Sequence, residues 1–417
     1  MKKKRILSVL LGATLLMGAV PAYAEEPETV APVNASEDQK EDTEEATGEM
    51  PSMELGVKEL CEICDTAEGQ EILELGEMPG LKAETRASIE QVINKITDEQ
   101  YNVSFLLLDL QTGQGYSKNP EEVYFGASSI KGPYVVALAE KIVDTGEASL
   151  TDQLERDSVE VNDGSGTIKD DPAGTTYTLE EEMTRTIADS DNMGYEILRE
   201  KYGADFFGKW LNGGNVETSY AGKQWPSYDA RTLTKMWVSI YEYFQSGRGI
   251  SDKVKSMFDH SEGSVITQAL GDTYTVYAKP GYTETSSDQA WHDAALIMSG
   301  DHPYLMTIMT DIPWSSKDDT YGDLLAELAG YLDEAHTEVF PIPTEEPQEI
   351  EPVSVSQVPK ETEKESVKIP VFVWVVLVLV LGGGGFLGYR VWSIRKEREL
   401  QRQQWEAAKR RRRNQQQ

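Results

Sequence analysis

The sequence predicts an α/β protein of the α+β sandwich kind: an antiparallel sheet of terminal strands packed against a mostly helical subdomain, followed by one C-terminal transmembrane helix. Three observations carry this. Apolar residues recur at helical spacing at both ends of the central region, Ile89, Val92, Ile93 and Ile96 near its start and Tyr321, Leu324, Leu325, Leu328 and Leu332 near its end. Strand-like runs stand inside those helices: Val103–Leu110 after the first, and Tyr274–Ala278, Ala294–Met298 and Leu305–Thr310 before the second. Beyond the central region, Ile369–Tyr389 is uncharged over 21 residues, long enough for a helix to cross a bilayer.

Taken in chain order, residues 1–24 read as a secretory signal peptide. Lys2 to Arg5 supply the positive start, Ile6–Val20 the apolar run, and Ala22-Tyr23-Ala24 the small-residue cleavage pattern. Residues 25–55 are acidic with few large apolar side chains, the composition of a disordered segment. Residues 56–83 read as a short helical lead-in containing Cys61 and Cys64, the chain's only cysteines. Two cysteines make no four-ligand zinc site, and no thioredoxin-like βαβ unit surrounds them. They read as a local disulfide or two quiet thiols.

The catalytic-domain candidate spans residues 84–337 and holds the elements named above, with Gln111–Gly115 as a hairpin turn and Tyr134–Ile142 as an apolar helix. Residues 338–368, with Pro341, Pro343, Pro347, Pro352 and Pro359 among many Glu, read as an extended stalk. The transmembrane helix occupies 369–389 and a basic tail 390–417. That tail carries ten Lys and Arg against three Glu, so the positive-inside rule places it in the cytoplasm and residues 25–368 outside. Gly384 and Gly388 have the spacing of a helix-pairing motif, a weak signal.

The whole chain has 39 Lys+Arg against 72 Asp+Glu, a net charge of −33. This argues against nucleic acid as a partner, since phosphate binding needs an excess of cations. The hydrophobic share of 39% excludes collagen-like and wholly disordered classes.

Three clusters carry candidate chemistry. Ser128 and Lys131 stand three apart before the apolar helix, which puts them on one helical face. A serine hydroxyl needs a base beside it to attack a carbonyl, and a buried lysine of lowered pKa can serve. Ser190-Asp191-Asn192 follows the helical stretch Leu179–Ala188, offering a second hydroxyl to relay a proton and an amide to hold a substrate. Its simpler reading is a helix cap. Lys279-Pro280-Gly281 ends a strand, where Lys279 presents a cation to a carboxylate and Gly281 admits a ligand to the strand backbone. The four histidines, His260, His292, His302 and His336, show no metal-binding spacing, and His292 reads as structural. No metal and no cofactor is called for, and no G-x-S-x-G occurs.

In this order the three clusters resemble the S-x-x-K, S-D-N and K-T-G set of the serine β-lactamases and penicillin-binding proteins. Residues 84–337 resemble a class A β-lactamase-like domain, also through LDLQTG (108–113), EASLTDQL (147–154), YDARTLTKMW (228–237) and WHDAALIM (291–298). The resemblance implies Ser128 as the acylated nucleophile, Lys131 as its proton partner and Ser190 as the shuttle to the leaving nitrogen. It further implies Asn192 and Lys279 as substrate holders, and the backbone N–H groups of Ser128 and Tyr282 as the oxyanion hole.

Two departures matter. Pro280 replaces the hydroxyl residue of the third motif, with Thr283 as a substitute. The E-x-x-L-N loop, whose Glu activates the deacylating water, is missing: Leu211-Asn212 occurs, but Gly208 stands at the Glu position, and Glu217 is the only nearby acid. The expectation is therefore a membrane-anchored, extracytoplasmic serine hydrolase of a monoderm cell, acting on β-lactams or D-Ala-D-Ala-type peptides, with weak turnover. The alternative is a penicillin-binding peptidase or a non-turnover sensor of wall peptides or β-lactams. A scaffold with a decayed site fits less well, because S-x-x-K and S-D-N are intact.

Overall fold

The computed structural model describes residues 53–156, 164–259, 261–283, 288–315 and 319–341. The signal peptide, most of the acidic segment, His260, most of the stalk, the transmembrane helix and the basic tail lie outside the described residues. Among the described residues no helix is long and apolar enough to cross a membrane.

The chain begins with helix α1 (Val57–Thr66) and strand β1 (Leu73–Leu75). Helix α2 (Ala83–Thr97) leads into β2 (Val103–Asp109), β3 (Gly115–Lys118) and β4 (Tyr124–Phe125). The middle holds α3 (Lys131–Leu138), β5 (Gln153–Glu155), β6 (Thr176–Thr178), α4 (Leu179–Ala188), α5 (Asn192–Tyr202), α6 (Asp205–Gly213), β7 (Ser227–Tyr228), α7 (Ala230–Gln245), α8 (Ser251–Met257) and α9 (Val265–Leu270). The chain returns through β8 (Thr275–Ala278), β9 (Gly281–Thr283), β10 (Ala290–Met298) and β11 (Tyr304–Thr310), then ends in α10 (Thr320–Thr337).

The main sheet is antiparallel in the order β1-β3-β2-β11-β10-β8, with β9 also on β10. Its centre, β2, is buried throughout because helices cover both faces. Val103, Phe105 and Leu107 join a core with Val92 and Ile96 of α2 and Leu328 and Leu332 of α10. Leu106 and Leu108 point the other way, into a core with Val135 and Leu138 of α3 and Trp237 and Tyr241 of α7. Truncating one such leucine to alanine typically costs ~2–5 kcal/mol, since the cavity left behind adds to the lost burial.

The mixed α/β architecture matches the sequence-based expectation, and three details differ. The lead-in joins the sheet: β1 pairs with β3, Leu73 opposite Ser117, and Leu60, Cys61 and Cys64 of α1 are core residues. Both thiols are free, and burial raises the pKa of Cys61 to about 12 and that of Cys64 well above its ordinary value, so neither is a ready nucleophile. The apolar helix is α only to Leu138 and continues as a π-turn over Ala139–Val143. Strand β10 starts at Ala290, four residues before the apolar run, because His292 and Asp293 are buried polar residues that interrupt the sequence signal.

Local chemistry places the helices around the future site. Thr178 and Glu181 form a reciprocal capping box that starts α4. Asp191 caps α5 by accepting from Gly194 N–H at 3.1 Å. Tyr134 of α3 donates towards the carbonyls of Leu198 (3.1 Å) and Gly203 (2.9 Å), tying α3 to the end of α5.

Candidate active site

The turn before Ser128 is built to expose one hydroxyl. Gly126 lies so close to the Tyr228 ring that an added Cβ would come within 2.5 Å of it. Ala127 follows with φ +46°, a left-handed conformation that costs a non-glycine residue energy. A 3₁₀ turn, Ala127–Ile130, then runs directly into α3, and its eclipsed i, i+3 positions carry Ser128 and Lys131. Ser129 points into the protein, bonded to the Gly126 carbonyl (2.6 Å) and the Tyr228 hydroxyl (2.7 Å). Ser128 Oγ has no hydrogen-bond partner among the described residues and borders the cavity.

His292 holds this turn from behind. Its Nδ1 accepts from Thr310 N–H at 3.1 Å, so the proton sits on Nε2 and is donated to the Phe125 carbonyl at 2.7 Å. Burial pushes its pKa down to about 4, keeping the ring neutral. The structural reading of His292 holds, and what the ring supports is the turn before Ser128.

Lys131 is fully buried. Its Nζ donates to the Ser190 carbonyl (2.6 Å), to Asn192 Oδ1 (2.6 Å) and, more loosely, to Ser190 Oγ (3.4 Å). Burial, and then the neighbouring Lys279, push its pKa well below the ordinary lysine value, while Asp191 and Glu196 oppose the shift. The hydrogen bonds of Nζ go to the S-D-N turn and not to Ser128.

The S-D-N turn is strained and clamped. Ser190 has φ +52°. Asp191 is more than a cap: its Oδ2 accepts from Thr167 N–H (2.7 Å) and Ile168 N–H (3.0 Å), fixing the 164–168 loop beside the site. Asn192 N–H donates to the Ser165 carbonyl at 3.0 Å. The Ser190 hydroxyl lies 3.0 Å from Lys279 Nζ, so Ser190 meets both lysines.

Lys279 directly follows the end of β8 at Ala278. Its N–H donates to the Ala294 carbonyl (2.9 Å), and the register of β8 on β10 continues unchanged into β9. In an antiparallel ladder the bonding alternates, so the N–H groups of 279 and 281 face β10 while position 280 and Tyr282 face the open edge. Pro280 therefore removes a hydroxyl but no ladder bond. Tyr282 N–H points to the site side. Burial lowers the pKa of Lys279 to about 7, with Asp293 opposing. A Cβ on Gly281 would lie 2.5 Å from Ser129 N and 3.0 Å from Ser128 N, so its bareness admits the close approach of the Ser128 turn.

Ser128, Asn192 and Tyr282 border a cavity of about 610 Å³, and Lys131, Ser190 and Lys279 lie behind its lining. Its walls include Trp225, which the sequence reading passed over, and the stacked rings of Tyr282 and Trp314, 4.7 Å apart. Thr283 also lines it. Glu217 is exposed, bonded by Ser219 and not part of the cavity, while Gly208 and Asn212 line a different depression. Among the described residues no His, Cys, Asp and Glu group of metal-binding size occurs. His302 and His336 both bond Asp109 Oδ2, at 3.2 and 3.1 Å, away from the cavity.

Solved structures share this fold. PBP-A is 19% identical, with a TM-score of 0.51 over 60% of this chain and 96% of its own. A PBP-A variant in an acyl-enzyme complex with penicillin G is also 19% identical, with a TM-score of 0.50 over 63% and 100%. A class A β-lactamase representative from Bacteroides cellulosilyticus is 16% identical, with a TM-score of 0.50 over 61% and 99%. No curated protein matches the chain. At these identities the likeness speaks for the fold alone. The model of the β-lactamase enzyme family, however, matches residues 85–332, a stretch that runs from α2 into α10 and contains every residue placed at the cavity. Since that is more than half of the chain, the protein belongs to the β-lactamase enzyme family.

Proposed function

We propose that the protein is a membrane-anchored, extracytoplasmic serine hydrolase that forms an acyl-enzyme on Ser128 with β-lactams or D-Ala-D-Ala-type peptides. The observation that carries this is the buried Lys131, its pKa depressed, joined to Ser190 and Asn192 one helical step from an unpartnered Ser128 hydroxyl. A neutral Lys131 takes the Ser128 proton as Oγ attacks the carbonyl carbon. Ser190, bonded to Lys279, passes a proton to the leaving nitrogen as its bond to carbon breaks. The N–H groups of Ser128 and Tyr282 receive the oxyanion, each such donor being worth ~10²–10³ in rate. The penicillin G adduct of a PBP-A variant, a neighbour in fold, is in keeping with this chemistry.

The second reading, a non-turnover sensor, is favoured by one observation. Lys131 Nζ faces the Trp225 ring, at 5.3 Å, and its hydrogen bonds reach no carboxylate that could activate water. Deacylation is then slow, because general-base assistance is typically worth ~10²–10⁴. Anchoring and orientation rest on the signal peptide at 1–24, the apolar run at 369–389 and the basic tail.

One experiment separates the readings: the full-length protein is incubated with labelled penicillin and the adduct mass followed over time. A long-lived adduct is expected. Rapid multiple turnover of a chromogenic cephalosporin refutes slow deacylation, and absence of any adduct refutes the acyl-serine reading. Protease added to intact cells should remove the domain and spare the Arg-rich tail.

A further inference from the structure

The loop that carries Trp225 is a thin partition between two hollows. On one side Trp225 lines the Ser128 cavity. On the other, Gln224 lines a depression of about 390 Å³ together with Glu196, Arg199, Glu200 and Gly222. The loop is pinned at three points. Gly126 N–H donates to the Pro226 carbonyl (3.0 Å), the Tyr195 hydroxyl to the Gln224 carbonyl (3.2 Å) and Arg199 Nη2 to the Ala221 carbonyl (3.0 Å). All three bonds hold backbone carbonyls, so the Trp225 side chain can leave its place without breaking one. The indole itself rests on the Tyr195 ring, with centroids 5.2 Å apart, and over Lys131 Nζ at 5.3 Å.

Glu196 stands behind this partition, half-buried at the rim of the depression. It follows Asn192 by four residues on α5, so the two share a helix face. Asn192 Oδ1 accepts from Lys131 Nζ at 2.6 Å, which brings that face to the amine. Two carboxylates act on Lys131 through their charge, Asp191 and Glu196. Asp191 is buried and holds the N–H groups of Thr167, Ile168 and Gly194. Glu196 is therefore the carboxylate of the two that meets water.

We propose that the Trp225 indole gates deacylation and that Glu196 is the base behind the gate. This deepens the acyl-serine reading above and rests on it. With the indole in place, the carboxylate is walled off from the acyl carbon and the ester persists. With the indole displaced, the two hollows join. Water from the depression then bonds the acyl carbon while Glu196 takes its proton. The bond from that carbon to Ser128 Oγ breaks, and the proton reaches Oγ by way of Lys131. The acid departs, and serine, amine and carboxylate are restored.

The test uses the full-length protein and its preformed penicillin adduct. Labelled penicillin reacts, the excess is removed, and the adduct mass is followed with time, so the slower acylation of a Trp225 variant does not enter. Decay in Trp225→Ala should be roughly ten-fold faster than in the parent, within what general-base assistance supplies. Trp225→Leu, which keeps an apolar partner for Tyr195, takes its place if Trp225→Ala forms no adduct. Adding Glu196→Gln should remove the gain, and adding Glu200→Gln should leave it. Glu196→Gln alone should slow the residual decay of the parent, a measurement that needs no change at Trp225. Damage to the fold does not create a gain that one carboxylate controls. Decay that is unchanged or slower in the Trp225 variant overturns the gate. A gain that survives Glu196→Gln, a gain lost equally with Glu200→Gln, or an unchanged parent decay in Glu196→Gln overturns the base. Each of these leaves the acyl-serine reading standing, whereas no adduct in the parent overturns that reading and the inference with it.

Discussion

The Nζ of Lys131 lies 5.3 Å from the centroid of the Trp225 ring and 6.0 Å from that of Tyr195. An indole face attracts an ammonium, yet it accepts no proton and excludes water. Exclusion dominates here, because burial is the leading cause of the lowered Lys131 pKa. Trp225 thus adds to the burial that lowers the amine's pKa. Trp225→Ala should wet Lys131 and raise its pKa, moving the acid limb of the acylation profile to higher pH. At pH 7 acylation should fall roughly ten-fold relative to the parent, and the ratio of the two rates should approach one at higher pH, while Trp225→Phe retains most of the rate. An acid limb at the same pH in Trp225→Ala would show that the ring does not set the lysine's protonation.

The two adjacent serines make a sharper test of the nucleophile. Ser128→Ala should abolish the penicillin adduct. Ser129→Ala should retain it but destabilise the fold by about 1 kcal/mol, since it strips partners from the Gly126 carbonyl and the Tyr228 hydroxyl. Intact-protein mass and a melting curve read both effects. An adduct surviving in Ser128→Ala would disprove the assignment.

Why the pairing of Ser128 with Lys131 was legible and its surroundings were not has a physical basis. Ser128 and Lys131 share one helical step, so sequence spacing alone places them together. The central strand and the closing helix were legible for the same reason, their apolar patterns being long. Trp225 reaches Lys131 from 94 residues away, through a loop with no periodic signal. Strand β1 has only three residues, and its pairing with β3 is what identifies it. A bare strand position such as Gly281 does not say in sequence what approaches it, and the structure shows the backbone of the Ser128 turn there.

Lys279 predicts the alkaline behaviour. Its pKa is lowered to about 7 by burial, so its charge, which orients the Ser190 hydroxyl at 3.0 Å, is present below that pH and lost above it. Acylation should therefore fall as pH rises through about 7. As Lys279 loses its charge, its push on Lys131 also fades, so the two lysines titrate as a pair. Lys279→Arg keeps its charge at all working pH values and should remove the alkaline limb. A limb persisting at the same pH in Lys279→Arg would assign it to another group.

The last prediction concerns Glu182, on α4 behind the S-D-N turn. Its carboxyl is buried with neither oxygen bonded, and Oε2 lies 2.9 Å from where a Cβ on Gly194 would stand. Burial, and then Asp191, raise its pKa from 4.5 to about 8, with Arg185 opposing and Glu181 adding to the shift. A raised folded-state pKa favours the fold while the group is protonated. The contribution is thus full below about pH 4.5, declines between 4.5 and 8, and is gone above about 8. At neutral pH the domain already bears part of that loss, because the unfolded chain ionises this carboxyl freely. Glu182→Gln fills the same space and cannot ionise. Its melting temperature should match the parent near pH 5 and exceed it by several degrees at pH 9, a gain of a few kcal/mol corresponding to ~2–4 °C each in a domain of this size. Melting curves at pH 5, 7 and 9 measure it. If both proteins lose stability in parallel from pH 5 to pH 9, Glu182 is not the group that titrates.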